Sequence, residues 1–269
     1  MVRELLKNAA EKLTKSESPM LDARVLLAKA MKKENAALIF EYPNEKEISL
    51  FNSFIEKRAS GIPVAYILGE KEFMGLNFHL NSDTLIPRPD TECLVEKVIE
   101  KNSFSSPRIL DLCTGSGCIG ISLLKFIPRA VCDLTDISEN ALNMAKENAS
   151  LNGVADRANV FRLDVLKDSI EKEYDIIVSN PPYIKSEIVP TLEVSRFEPQ
   201  KALDGGTDGL DFYRVISDKA FNALKAGGML ALEIGYNQGS DVISLLEKFS
   251  EVNLYKDYGN NDRVIIAIK

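Results

Sequence analysis

The chain has 269 residues, enough for one large domain or for one large and one small. A hydrophobic fraction of 45% and a charged fraction of 27% are ordinary for a globular protein, and no apolar run approaches the roughly 18 residues that a membrane-spanning helix needs. The formal net charge of −7 argues against a dedicated duplex-DNA binder, whose affinity rests on neutralised phosphates, while leaving room for a local basic patch.

The opening MVRELLKNAAEKL alternates charged with apolar residues and has no signal-peptide core, so a cytoplasmic location with no membrane partner is expected. Residues 1–61 read as a small helical bundle. Leu5, Leu6, Ala9, Ala10 and Leu13 recur at helical spacing. SESPMLDARVLLAKAM follows, with Ser18 at the N-cap and Pro19 at the first helical position. ENAALIF is a third short segment, and EKEISLFNSFIEKRASG a fourth that stops at Gly61. No ligand-type cluster occurs there, which suits either a module that recognises a protein surface or a packing cap.

Residues 62–86 change character. IPVAYILG, KEFMGLNFHL and NSDTLIPRP are rich in β-branched and aromatic residues and are punctuated by Gly69, Gly75 and Pro87, so a β-hairpin connector is expected. The single histidine, His79, reads as a strand-face residue. Cys93, Cys113, Cys118 and Cys132 show no CxxC spacing and no clustered histidines, so they read as reduced, mostly buried thiols with no metal. In LIPRPDTECLVEKVIEK, Asp90 and Glu92 suit the first turn of an amphipathic helix. Arg88 lies between two prolines that fix its backbone, a position from which it can touch a ligand or bridge domains.

From residue 87 to the C-terminus the pattern is α/β. RILDLC, AVCDLTDIS, NVFRLDVL, YDIIVSN, MLALEIG, VNLYKDY and RVIIAIK read as seven strands, most of them joined by helices, in a doubly wound sheet. The last two are linked by the short GNND and must be antiparallel neighbours.

The chemistry gathers at strand ends. Cys113, Thr114, Gly115, Ser116 and Gly117 make a glycine turn between the first strand and its helix, where a ligand can approach the backbone and free N–H groups. Asp136 ends the second strand, where a ribose-binding carboxylate belongs, and Asp164 ends the third, where it can take an adenine amine. Taken singly, each acid is also what a turn or helix cap uses. The fourth strand stops at Asn180-Pro181-Pro182-Tyr183, because two prolines cannot continue a ladder. The Asn180 side-chain oxygen and the Pro181 carbonyl are adjacent acceptors that can grip both hydrogens of one planar NH₂ group, with Tyr183 stacked on the plane. An amide and an amino-purine both fit.

This set of segments (LIPRPDTE, DLCTGSG, TDIS, SNPPYI, FEPQKALDGGTDGLDFYR and LALEIG) resembles the release-factor glutamine methyltransferase family of class I S-adenosylmethionine-dependent methyltransferases. The likeness runs from about Gly61 to the C-terminus, and the helical N-terminal part also fits. NPPY alone is shared with adenine-N6 DNA methyltransferases; joined to LIPRPDTE it is far more specific. The resemblance implies a Rossmann-like methyltransferase domain, S-adenosylmethionine as cofactor, and N5-methylation of the glutamine in the Gly-Gly-Gln motif of class I release factors. It places residues 113–117 at the cofactor, Asp136 on the ribose, Asp164 and Val165 beside adenine, and residues 180–183 on the glutamine. No stable nucleic-acid partner is expected, and a monomer is.

Two departures stand out. The loop usually begins with glycine where this chain has Cys113; a positive φ there costs on the order of 1 kcal/mol. Val165 stands where some relatives have an aromatic ring. FEPQKALDGGTDG reads either as a surface loop or as a lid with Glu198 and Pro199 near the site. Three other functions remain open from the residues: adenine-N6 methylation, glutamine methylation of a ribosomal protein, and a non-catalytic cofactor-binding scaffold.

Overall fold

The computed structural model describes residues 2–33, 38 and 41–269. The chain divides into two compact units, Met1–Glu70 and Lys71–Lys269. The first contains helices α1 (Val2–Lys12), α2 (Pro19–Met31), α3 (Glu45–Ala59) and α4 (Val64–Leu68). Leu6, Leu13, Leu26, Leu27, Phe51 and Ile55 form its core. Ser18 occupies the N-cap position of α2, with Pro19 following, but makes no side-chain capping bond. Asn44 caps α3 with a full capping box: its side chain accepts from the Lys46 and Glu47 amides while Glu47 accepts from the Asn44 amide. The segment ENAALIF lies largely outside the described residues; within it, Leu38 is buried in this core.

The connector differs from expectation. IPVAYILG is not a strand: after Pro63 the chain forms α4, and Val64, Ile67 and Leu68 pack on the helical core. Those three positions share a helical face, and that spacing outweighs the β-branched composition. The break between units therefore falls at residue 70 rather than 61. The hairpin is shorter than the 62–86 stretch, with β1 (Glu70–Phe73) and β2 (Leu76–His79) joined through Met74 and Gly75, both at positive φ, as a two-residue hairpin turn requires. His79 ends β2, and its Nδ1 meets Glu147 Oε1 at 2.5 Å.

The second unit continues with α5 (Pro89–Lys101), β3 (Arg108–Leu112), α6 (Cys118–Phe126), β4 (Val131–Asp136), α7 (Glu139–Leu151), β5 (Ala158–Arg162), β6 (Tyr174–Ser179), α8 (Asp211–Ala223), β7 (Leu224–Glu233), α9 (Gly239–Ser244), β8 (Glu251–Lys256) and β9 (Asp262–Ile268). Seven strands form one sheet in the order β5-β4-β3-β6-β7-β9-β8. All pairs are parallel except those of β9, which runs antiparallel to β7 and β8. Two apolar cores cover the faces. Ile176 and Val178 point to the side packed by Leu94, Val98, Ile119 and Leu123; Ile177 points to Tyr213, Ile216 and Val242. Both faces of β6 are therefore dry, which is why its sequence is a continuous apolar run. Helix α9 is shorter than its sequence suggests. Residues 245–249 close instead through i→i−3 bonds, Leu246 N to Ile243 O at 3.0 Å and Phe249 N to Leu246 O at 2.9 Å.

The strand order reverses between β3 and β6. The first half of the sheet grows outward from β3 to β4 and β5, the second from β6 to β7. In open α/β sheets that reversal leaves a crevice beyond the carboxyl ends of the two central strands.

Candidate active site

Register brings the candidate residues into one row. Leu112 pairs with Thr135 on one side and Ser179 on the other, and Ser179 pairs with Leu232. The next residue of each strand is Asp136, Cys113, Asn180 or Glu233. The glycine turn and the NPPY turn therefore leave the sheet side by side at the reversal, and the Ser179 hydroxyl donates to Leu112 O at 2.8 Å between them.

The loop after β3 is held from below. Asp111 Oδ2 accepts from the Thr114 hydroxyl at 2.6 Å and from Gly120 N at 2.9 Å. Its Oδ1 is buried with no hydrogen-bond partner among the described residues. Burial pushes the Asp111 carboxyl up to about 7, because no fixed cation offsets the lost hydration. Cys113 has φ 59°, the left-handed conformation that makes glycine the easier residue there. Its thiol pKa is raised by burial and by the nearby carboxylates Asp136 and Asp111, so it is no nucleophile. Gly115 has φ 55°, and nothing lies within 4 Å of where its Cβ would be: the loop faces open space. Gly117 caps α6 and packs tightly, a Cβ there falling 2.7 Å from Ile121 Cδ1. The Ser116 carbonyl is fixed by Asn148 Nδ2 at 2.9 Å.

Asp136 sits over this loop. Its Oδ2 accepts from Gly115 N and its Oδ1 from Ser138 N, both at 2.9 Å, and the Ile137 amide adds a third donor. Burial raises its pKa. Asp164 does the work of a turn residue, its Oδ1 accepting from Leu166 N at 3.1 Å, and it lies within 3.5 Å of Lys167 Nζ. Val165 is buried, and its carbonyl accepts from Lys219 Nζ at 2.7 Å. The same ammonium holds Asp168 O at 2.6 Å, so one lysine of α8 pins the whole 165–168 turn.

On the other side of the crevice, the Asn180 Nδ2 donates to the Thr91 hydroxyl at 3.3 Å. Among the described residues, neither Asn180 Oδ1 nor the Pro181 carbonyl accepts a hydrogen bond within the protein. Pro181 and Pro182 are buried and Tyr183 is half-buried. The Tyr183 hydroxyl meets Glu233 Oε1 at 3.4 Å, and its carbonyl accepts from Gln238 Nε2 at 3.1 Å. Burial and the Glu233 charge raise the Tyr183 pKa.

The segment after the motif forms the back wall. Ile184 N donates to Leu203 O at 2.9 Å and Gly205 N to Ile184 O at 2.8 Å. Gly205 and Gly209 are required by contact: a Cβ at the first falls 2.6 Å from Tyr183 Cα, and at the second 2.5 Å from Tyr183 O. Arg88 belongs to this wall. Its guanidinium pairs with Glu198, whose side chain is 1% exposed and also accepts from Ile86 N at 3.1 Å.

Sequence reasoning missed Glu233 and Thr91. Glu233 is 1% exposed, its Oε2 has no hydrogen-bond partner among the described residues, and burial raises its carboxyl to about 7. An acid inside the apolar run LALEIG was the available signal, since buried carboxylates are rare without a task or a partner.

A release factor glutamine methyltransferase from Clostridium acetobutylicum is 39% identical over 268 residues, covering 96% of this chain and 94% of that protein. The chain belongs to the release factor glutamine methyltransferase family. A second member, from Agrobacterium fabrum, is 42% identical over 92% of this chain and 89% of its own length. The family profile "Methyltransferase small domain" matches residues 89–197, and "PrmC N-terminal domain" matches residues 4–69. The second match ends within one residue of the break between the two compact units. Among solved structures, a methyltransferase from Pyrococcus furiosus shares the fold, with a TM-score of 0.54 at 18% identity over 81% of this chain and 97% of that one.

Proposed function

We propose that this chain transfers the methyl group of S-adenosylmethionine to the side-chain amide nitrogen, N5, of the glutamine in the Gly-Gly-Gln motif of class I peptide-chain release factors. One observation carries the reading: two oxygen acceptors without partners among the described residues, Asn180 Oδ1 and the Pro181 carbonyl, belong to adjacent residues at the mouth of β6 in a member of this family.

The crevice suits the cofactor. The open face of Gly115 gives it room, and the Asp136 carboxylate at the strand end has acceptor capacity left for a ribose hydroxyl. Residues 113–117, Asp136, Asp164, Val165 and the main chain at Asn180 would hold it. When bound, S-adenosylmethionine supplies an electrophilic methyl group on a positively charged sulfonium.

The protein's own part is orientation and charge. An amide nitrogen is a weak nucleophile because its lone pair is delocalised over the carbonyl, the resonance behind a rotation barrier of about 18–20 kcal/mol. Asn180 Oδ1 and Pro181 O accept the two amide hydrogens and fix the amide plane, so that the lone pair, which stands perpendicular to it, is aimed at the methyl group. As nitrogen gains positive charge the two bonds become charge-assisted and strengthen, so they favour the transition state over the bound amide. One amide proton leaves after the N–C bond forms. Tyr183 and Pro182 wall the amide plane, and Arg88 serves the substrate through the Glu198 wall it pins. Held in this way, the reacting atoms gain by orientation alone.

The enzyme is expected to act as a monomer in the cytoplasm, with no stable nucleic-acid partner. Mass spectrometry of the Gly-Gly-Gln peptide from release factor incubated with enzyme and S-adenosylmethionine tests the assignment. A gain of one methyl on the glutamine, with S-adenosylhomocysteine formed in equal amount, is expected. A methyl found only on DNA or ribosomal protein in parallel reactions would overturn it.

A further inference from the structure

We propose that Gln238 is a positioning residue: its buried carboxamide clamps the main chain of the NPPY turn and so holds the Asn180–Pro181 acceptor pair in place. The inference rests on the amide-gripping role stated above and deepens it. Gln238 lies in the turn after β7 and is 8% exposed. Its Oε1 accepts from Gly235 N at 2.9 Å, and its Nε2 donates to Tyr183 O and to Gly209 O, each at 3.1 Å. One side chain thus joins three segments: the turn after β7, the NPPY turn and the glycine-rich loop that precedes α8. Both N–H bonds of the carboxamide are used, and each is used on a main-chain oxygen. These partners fix its orientation. A flipped carboxamide would set its oxygen against two carbonyl oxygens and its N–H groups against the Gly235 N–H.

Glycines make room for the clamp. A Cβ at Gly235 would fall 2.8 Å from Gln238 Oε1, and one at Gly209 would fall 2.9 Å from Gln238 Nε2. Gly235 also lies against the aromatic ring, its Cβ position being 3.5 Å from Tyr183 Cδ2. Gln238 occupies the N-cap position of α9, where Ser, Thr, Asp or Asn serve best. Yet among the described residues its side chain caps none of that helix's amides. Glutamine at this position is explained by its reach to Tyr183 and Gly209 and not by the helix it precedes.

The clamp acts on the acceptor pair through the chain itself. The proline ring fixes φ at residue 182, so few free main-chain torsions separate the Tyr183 carbonyl from the Pro181 carbonyl. Anchoring the first therefore restrains the second. Without Gln238, two main-chain oxygens and one N–H lose their partners in a buried place, and the turn must shift to recover them. A shifted pair lowers the rate from the bound complex, because near-attack geometry is what the pair supplies.

The test uses the full-length enzyme with whole release factor. Gln238→Met keeps the length of the side chain and removes all three bonds. Its kcat should fall about tenfold or more, with the KM for release factor and the cofactor Kd by calorimetry within about threefold of wild type. Val242→Ala trims the core under α9 and leaves the three bonds in place; it should lower the melting temperature and keep kcat within about threefold. In protein labelled with 3-fluorotyrosine, the Tyr183 and Tyr174 resonances are identified by their loss in the Phe variants. The Tyr183 resonance should move or broaden in Gln238→Met, while that of Tyr174, at the opposite end of β6, stays in place. Full kcat in Gln238→Met, an equal loss of kcat in Val242→Ala, or an unmoved Tyr183 resonance would each overturn the clamp. The resonance needs no methyl transfer. A wild-type enzyme that methylates no release factor would therefore overturn the proposed function alone, with the clamp still decided by the resonance.

Discussion

Gly205→Ala is a steric test of the wall behind the NPPY turn. Gly205 does not adopt a positive φ, so alanine brings no backbone strain and its effect is that of one added methyl group. The new Cβ would sit 2.6 Å from Tyr183 Cα, 2.8 Å from Pro182 O and 2.9 Å from Tyr183 C. Non-bonded carbons rest about 3.5–4.0 Å apart, so roughly 1 Å must open between the two segments. Neither yields readily, because the neighbours are main-chain atoms and the bonds of Ile184 with Leu203 and Gly205 tie the segments together. Overpacking of this kind costs about 1–3 kcal/mol of stability. A displacement near 1 Å at a reacting centre can cost on the order of 100-fold in rate. The variant should therefore lose roughly 10- to 100-fold in kcat and several degrees in melting temperature. Cofactor affinity should stay close to wild type, since the loop at residues 113–117 lies on the other side of the crevice. Gly153→Ala is the control: it has open space and φ 67°, so it should cost about 1 kcal/mol of stability with no loss of kcat. A folded Gly205→Ala enzyme with full kcat would refute the claim that this wall positions the acceptor pair.

Three further predictions follow from the cofactor side. Asp136→Ala removes the carboxylate that takes the Gly115 and Ser138 amides, and should weaken cofactor binding at least tenfold by calorimetry, since each hydrogen bond to a charged group is worth about 1.5–3 kcal/mol. Lys219→Met frees the turn at residues 165–168 and should raise the cofactor Kd several-fold with little change in kcat at saturation. Asp111 titrates at about 7 when folded against 3.8 in its ordinary range, so the folded state binds the extra proton between those pH values. Its contribution is thus fully present at low pH and is lost as pH rises from about 4 to about 7, on the order of 4 kcal/mol at most. The melting temperature of the cofactor-free protein should fall between pH 5 and pH 8, and Asp111→Asn should reduce that fall; a melting temperature that rises over this range contradicts the burial argument. Glu233 shifts in the same direction and supplies the slope that remains.

What the sequence reveals here follows from where parallel strands end. Buried on both faces, β3 and β6 must read as apolar runs, so the polar residues that stop them stand out, and Asn180, Asp136 and the glycine turn are legible without coordinates. The strain at Cys113 is legible for the same reason, and its φ of 59° agrees with the cost anticipated from a missing glycine. Arg88 is only half legible. Its proline-fixed backbone marks it, but its partner Glu198 lies 110 positions away. Thr91 and Glu233 are hidden for a related reason. One looks like an ordinary first-turn residue and the other like a strand residue, and their meeting at Asn180 depends on the packing of α5 and the pairing of β6 with β7. In α4, composition misleads: valine and isoleucine suggest a strand, while spacing on the helical core makes a single helical turn after Pro63.

The most direct measurement is a crystal structure of the enzyme with S-adenosylhomocysteine and a Gly-Gly-Gln peptide. The glutamine side-chain nitrogen should lie within about 3.2 Å of both Asn180 Oδ1 and the Pro181 carbonyl, the range of an ordinary N–H···O bond. A well-ordered glutamine whose nitrogen meets neither oxygen, or an Asn180 that presents its nitrogen to the substrate, would contradict the account.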